Sequence, residues 1–132
     1  MRVVALDHVN IISDDMIGSE RFYTEVLGLE ARNGPAPFPP EQIRWMYDDA
    51  GRPVIHLNHP TAPRRFDRSI EAGATGAIHH VAFGCEGYAA MVARLESQGL
   101  DFQTSHIESM GLRQIFTLDP NSVLFELNFF GD

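Results

Sequence analysis

With 132 residues, 44% of them hydrophobic, the chain has the length of one compact domain that can bury a core without disulfide staples. A formal net charge of −8, with ten arginines and no lysine, excludes the usual nucleic-acid partner, which requires clustered cations to displace counterions from phosphates. No apolar run reaches the roughly 20 residues that cross a bilayer, Asp7 and His8 interrupt the only apolar start, and Cys85 stands alone, so the expectation is a reducing cytoplasm with neither membrane span nor leader.

Residues 3–12 alternate as a strand, with Val9 and Ile11 on one side and His8, Asn10 and Ile12 on the other. Asp14 or Asp15 can cap the helix that follows, where Ile17, Phe22, Val26 and Leu27 recur at helical spacing and Gly28 marks the end. Phe22 reads as core. A short strand over residues 29–32 leads into Asn33-Gly-Pro-Ala-Pro-Phe-Pro-Pro40, whose prolines rule out a helix interior or a central strand and make it a loop. Residues 43–47 and 53–58 read as a hairpin around Asp48-Asp49-Ala50-Gly51, with His56 on the returning strand. Trp45, Met46 and Phe38 line an aromatic pocket or simply pack in the core.

Residues 59–77 are rich in Pro, Arg, Ala and Gly and read as a connector. They hold the only local cationic cluster, Arg64, Arg65 and Arg68, either a solvated loop or a dock for an anionic substrate group. Residues 78–84 are a strand in which alternation lets only one of His79 and His80 face a site. Residues 88–98 form an amphipathic helix with Met91, Val92 and Leu95 inward and Gly99 past its end. A short strand over 102–104, a strand over 112–118, the Asp119-Pro-Asn-Ser122 turn and a strand over 123–130 complete the chain. Cys85 has no charge partner nearby in sequence that would mark a nucleophile.

The chain therefore says the same thing twice. His8-Val9-Asn10, Leu27-Gly28-Leu29 and Ile55-His56-Leu57-Asn58 return as His80-Val81-Ala82, Gly99-Leu100 and Phe125-Glu126-Leu127-Asn128, at an offset of about 70 residues. Duplicated modules pack about a pseudo-twofold and bring equivalent positions together, which singles out His8, His56, His80 and Glu126. His56 shares a strand face with Asn58, and Glu126 with Asn128.

Leu6-Asp-His-Val-Asn10, Glu20-Arg-Phe-Tyr-Thr-Glu-Val-Leu-Gly-Leu29, Ile78-His-His-Val-Ala-Phe83, Leu118-Asp-Pro-Asn121 and Leu124-Phe-Glu-Leu-Asn128 together resemble the vicinal oxygen chelate superfamily, the glyoxalase, bleomycin-resistance and extradiol-dioxygenase group. The resemblance covers essentially the whole chain. It implies an α+β fold of two βαβββ modules, about residues 1–60 and 78–132 with the connector at about 61–77, forming a half-open β-barrel cup as a single domain over 1–132.

It also implies a divalent metal on His8, His80 and Glu126, the ligand positions of the first, fifth and eighth strands. Two His and one carboxylate suit Fe(II) or Mn(II), with Ni, Co or Zn as alternatives. His56 falls where a glyoxalase I-like protein has Glu and a methylmalonyl-CoA epimerase-like protein has Gln. There it is either a fourth ligand, which favours lyase or isomerase work, or an acid-base group beside a three-ligand iron as in extradiol dioxygenases; its pKa near neutral suits proton transfer. Phe116 stands where those dioxygenases carry a Tyr, and His106 is a displaced counterpart of their loop His. The remaining site expectations are Asn10, Asn58 and Asn128 orienting ligands, with Arg113 from the seventh strand and Asn10 and Trp45 at the substrate. The expected partners are a small-molecule substrate and a second copy of the chain in a homodimer. The reading is a metal-dependent dioxygenase-like enzyme; the alternatives are a glyoxalase-like lyase or isomerase, and a binding protein of the bleomycin-resistance type.

Overall fold

A computed structural model describes residues 1–2, 4–63, 75–76 and 78–131. The fold is α+β, and the chain divides into two compact units, Met1–Ile70 and Glu71–Asp132, each carrying one βαβββ module. The arginine cluster at Arg64, Arg65 and Arg68, and most of the connector, lie outside the described residues. No described helix is long and apolar enough to cross a membrane.

The first unit runs β1 Val9–Ile12, α1 Met16–Arg21 continued by a π-helical turn Phe22–Val26, β2 Glu30–Asn33, β3 Ile43–Tyr47 and β4 Pro53–Asn58. Its sheet is open, in the order β1-β4-β3-β2, with β1 parallel to β4 and the other neighbours antiparallel. The Asp15 carboxylate accepts from the Gly18 N–H at 2.9 Å and so caps the helix start. That start sets the phase: Met16, Ser19, Phe22, Tyr23 and Val26 turn inward, whereas Ile17, expected in the core, lies about 100° round the helix and is 77% exposed. Ile55, Leu57 and Met46 are fully buried on the sheet face under the helix. Arg44 extends from that face to α1, where its guanidinium donates to both Glu20 carboxylate oxygens at 2.7 and 3.1 Å.

The second unit repeats the plan with β5 Val81–Cys85, α2 Tyr88–Ser97, β6 Phe102–Ile107, β7 Leu112–Leu118 and β8 Leu124–Phe130. The sheet order is β5-β8-β7-β6, again with the first pair parallel. Met91 and Leu95 of α2 pack inward with Ile115, Phe125, Leu127 and Phe129; Val92 is only half-buried.

The duplication extends to fine structure. Both helices close with a glycine in the left-handed region, Gly28 and Gly99, and the next N–H reaches back into the helix, Leu29 to the Tyr23 carbonyl and Leu100 to the Leu95 carbonyl. Both hairpins open on an aspartate, Asp48 and Asp119, whose carboxylate accepts two backbone N–H groups of its own turn.

Three boundaries differ from expectation by more than one residue. β1 begins at Val9 and β5 at Val81, so His8 and His80 sit just ahead of their strands. Ladder pairing to β4 and β8 starts only at Val9 and Val81. β6 runs on to Ile107 because β7 pairs with it along its whole length.

Candidate functional site

In each unit the residues of interest share the sheet face turned away from the helix. In the first unit the strand order places β4 between β1 and β3, so His56 has a neighbour on either side. Trp45 is its direct partner in the antiparallel register, and the indole stacks on the imidazole with centroids 4.2 Å apart and planes 8° from parallel. On the β1 side His8 stacks on the same imidazole at 3.7 Å and 14°. His56 is thus the middle layer of a three-ring stack.

The nitrogens of that stack are bound unequally. His8 Nδ1 is 2.6 Å from an Asp7 carboxylate oxygen, which leaves Nε2 as the nitrogen with a lone pair to offer a ligand. A carboxylate behind an imidazole in this way is the usual support of a metal-ligating histidine. His56 Nε2 is buried and has no hydrogen-bond partner among the described residues. Burial first, and the neighbouring His8 second, push the His56 pKa down to about 4, against a smaller opposing effect of Asp7. Beside the stack, the Asn10 amide donates to the Asn58 side-chain oxygen at 3.3 Å.

In the second unit His80 Nε2 stands 3.1 Å from Glu126 Oε2. Two donors in adjacent positions on one ion, each bonded at about 2.1 Å, lie about 3 Å apart, so this pair has the spacing of shared ligands. Behind them, His80 Nδ1 is 3.1 Å from His79 Nδ1. The Gln114 amide donates to Glu126 Oε1 at 2.8 Å and to the Asn128 side-chain oxygen at 3.0 Å. One carboxylate oxygen is therefore held from behind while the other faces His80.

The four ligand-type residues come together as two pairs, His8 with His56 and His80 with Glu126. Among the described residues no group of three or more His, Cys, Asp or Glu is gathered that could hold a metal ion. The chemistry of the pairs fits a divalent ion, with one restriction. An ion bound through an imidazole nitrogen lies in that ring's plane, along the in-plane lone pair. The near-parallel planes of His8 and His56 do not meet within a bond length of either ring, so while the stack persists one ion cannot take both.

Arg113 is corrected. It registers with buried Phe129, and its guanidinium lies over the Tyr88 ring at 5.2 Å, which puts it on the helix side, opposite to Glu126. Strand alternation decides this: Gln114 and Phe116 take the Glu126 face, and Arg113 must take the other. His106 pairs with Arg113 and also faces away. Met46 is core, fully buried. Cys85 is half-buried, and burial raises its thiol pKa, as befits a structural cysteine. Sequence reasoning missed Asp7 and Gln114, although Gln114 lies two residues from Phe116 on a strand and its face was available from that alternation.

Comparison with known proteins agrees with the duplicated architecture. A family model described as the Glyoxalase/Bleomycin resistance protein/Dioxygenase superfamily matches residues 5–127. A protein of Arabidopsis thaliana named Glyoxylase I 4 is 25% identical over 130 residues, covering 96% of this chain and 71% of that protein. The uncharacterized protein YaeR of Escherichia coli K12 is 29% identical over 124 residues, covering 91% of this chain and 92% of its own. Among solved structures, the virulence protein STM3117 of Salmonella typhimurium matches with a TM-score of 0.74 at 18% identity, over 98% of this chain and 99% of the other, a likeness of fold.

Proposed function

Because the chain belongs to the Glyoxalase/Bleomycin resistance protein/Dioxygenase superfamily, whose members generally bind divalent metals, we propose that it is a metal-dependent, dioxygenase-like enzyme acting on a small molecule with vicinal oxygens. In this reading His8, His80 and Glu126 hold one ion, Fe(II) or Mn(II), and His56 stands off it as the acid-base group. The observation that carries the reading is the His8–His56 stack at 3.7 Å, which keeps the two imidazoles from sharing an ion.

An ion held by these residues would supply Lewis acidity to two adjacent substrate oxygens. The chain's own residues do the rest. Asp7 engages His8 Nδ1 and leaves Nε2 its lone pair, and Gln114 holds Glu126 with Oε2 toward His80. His56 Nε2 has no partner among the described residues and so can accept a hydrogen bond from a substrate hydroxyl; burial, which lowers its pKa to about 4, keeps the imidazole neutral at pH 7 but makes it a weaker base than the near-neutral value expected from sequence. Trp45 and Asn10 share this face and bound the substrate.

A glyoxalase-like lyase or isomerase is the second reading, favoured by the 25% identity to Glyoxylase I 4. It requires the stack to open so that His56 becomes a fourth ligand. Elemental analysis of anaerobically purified protein separates the two, comparing wild type with His56→Ala and Glu126→Ala. Iron or manganese retained in His56→Ala and lost in Glu126→Ala, with oxygen uptake on catechols by wild type, is the expected result. Metal lost in both variants transfers the assignment to the lyase or isomerase; no metal even after reconstitution leaves a binding protein of the bleomycin-resistance type.

A further inference from the structure

His56 is held by rings. Its Nε2 has no hydrogen-bond partner among the described residues, yet the imidazole lies within 14° of parallel to one neighbour and 8° to the other. The Trp45 side of the sandwich is built into the sheet. Trp45 and His56 are directly paired across β3 and β4, and a side chain at Gly34 would come within 3.6 Å of the indole nitrogen and 2.4 Å of Ile43. The bare backbone at Gly34 thus makes room for the Ile43 side chain and stands at ordinary contact distance from the edge of the indole. The His8 side is weaker by construction, because His8 precedes the first paired residue of β1.

We propose that Trp45 is the positioning residue of His56: the flat indole blocks rotation of the imidazole about its Cβ–Cγ bond and keeps its plane parallel to that of His8. A ring held this way presents its nitrogens along a fixed direction and cannot turn to join His8 on an ion. The inference rests on the reading of His56 as an acid-base group for its effect on turnover, while the clamp itself is independent of that reading.

The test uses proton NMR of the full-length chain, stripped of metal and again loaded with diamagnetic Zn(II), comparing wild type, Trp45→Leu and Trp45→Phe. The His56 ring signals, identified by their loss in His56→Gln, are expected upfield of those of the other histidines because the rings on both sides shield them. Trp45→Leu moves them downfield, and Trp45→Phe, which keeps a smaller ring, moves them part of the way. Turnover of a substrate found by oxygen uptake falls by about 10²-fold in Trp45→Leu, the cost of a misplaced group; bound metal stays as in wild type, and Trp45→Phe recovers most of the loss. His56 signals that are unmoved in Trp45→Leu, or in Trp45→Phe should the Leu variant not fold, overturn the proposal. A direct shift of the His56 signals by Zn(II) overturns the off-metal reading of His56 instead, and is distinguishable because it appears in wild type.

Discussion

Glu126 illustrates how a side chain on a strand becomes a defined donor. A carboxylate at the centre of a sheet face can rotate, and only a second group anchored on the neighbouring strand stops it. Gln114 is that group, because its amide bridges Glu126 and Asn128 with bonds of 2.8 and 3.0 Å. Groups placed behind a metal ligand typically contribute 10–100-fold in affinity. Gln114→Leu keeps the strand's shape and removes the bridge, so it is expected to weaken Mn(II) binding, measured by calorimetry, by about 10–100-fold. Equal affinity in the two proteins would mean that Glu126 is oriented by His80 alone, or is no ligand. The same residue-scale logic separates His8, backed by Asp7, from His56, stacked between two rings and with no Nε2 partner among the described residues.

At the scale of elements, the two hairpins are one turn written in two chemistries. Gly51 occupies the left-handed position of the first turn at φ 75°, and Ser122 holds the same position of the second at φ 63°. A residue with a Cβ is strained there, about 1–2 kcal/mol, while glycine adopts it freely at an entropic cost of about 0.5–1 kcal/mol. Ser122→Gly is therefore expected to stabilise the protein by about 0.5–1 kcal/mol in denaturant melts; a destabilised variant would show that the Ser122 side chain contributes more than its strain costs. Asp48, opening the first turn, also faces the Arg52 guanidinium at 2.7 Å. The Arg52 hydrogen bonds lower its pKa, so the group stabilises the fold above the unfolded aspartate pKa of about 3.9 and loses that contribution as pH falls through the lower folded value. Asp48→Asn keeps an oxygen for the backbone bonds but drops the charge. Its melting temperature should fall below wild type at pH 7, and the gap should narrow as pH drops below about 4 and close only beneath the lowered folded value; a gap that stays constant across this range would assign the loss to packing.

For the whole molecule, the expectation of a homodimer has a direct test: sedimentation equilibrium should give twice the 14.8 kDa chain mass, and a species of single-chain mass at all concentrations would remove it. The repeat, the strand–helix order of each module and both hairpins were legible in the residues, because periodicity, glycine and aspartate act locally and the duplicated motifs corroborate each other. The helix phase was not. Ile17 and Met16 are equally apolar in sequence, and only the Asp15 cap and the sheet beneath decided that Met16 goes in. Of the site, the residue types were legible at His8, His56, His80 and Glu126, since strand alternation fixes a face before any fold is known. Arg113 fell to the same alternation once the register of β7 on β8 put Gln114 and Phe116 on the Glu126 face. The sequence by itself determined which residues of the candidate site carry donor atoms and which strands they lie on or immediately precede. Only tertiary structure decided how those atoms are held: Trp45 over His56, Gln114 behind Glu126 and His8 stacked on the ring it resembles in sequence. The physical reason is that a donor's direction depends on neighbours across strands, and these are far apart along the chain.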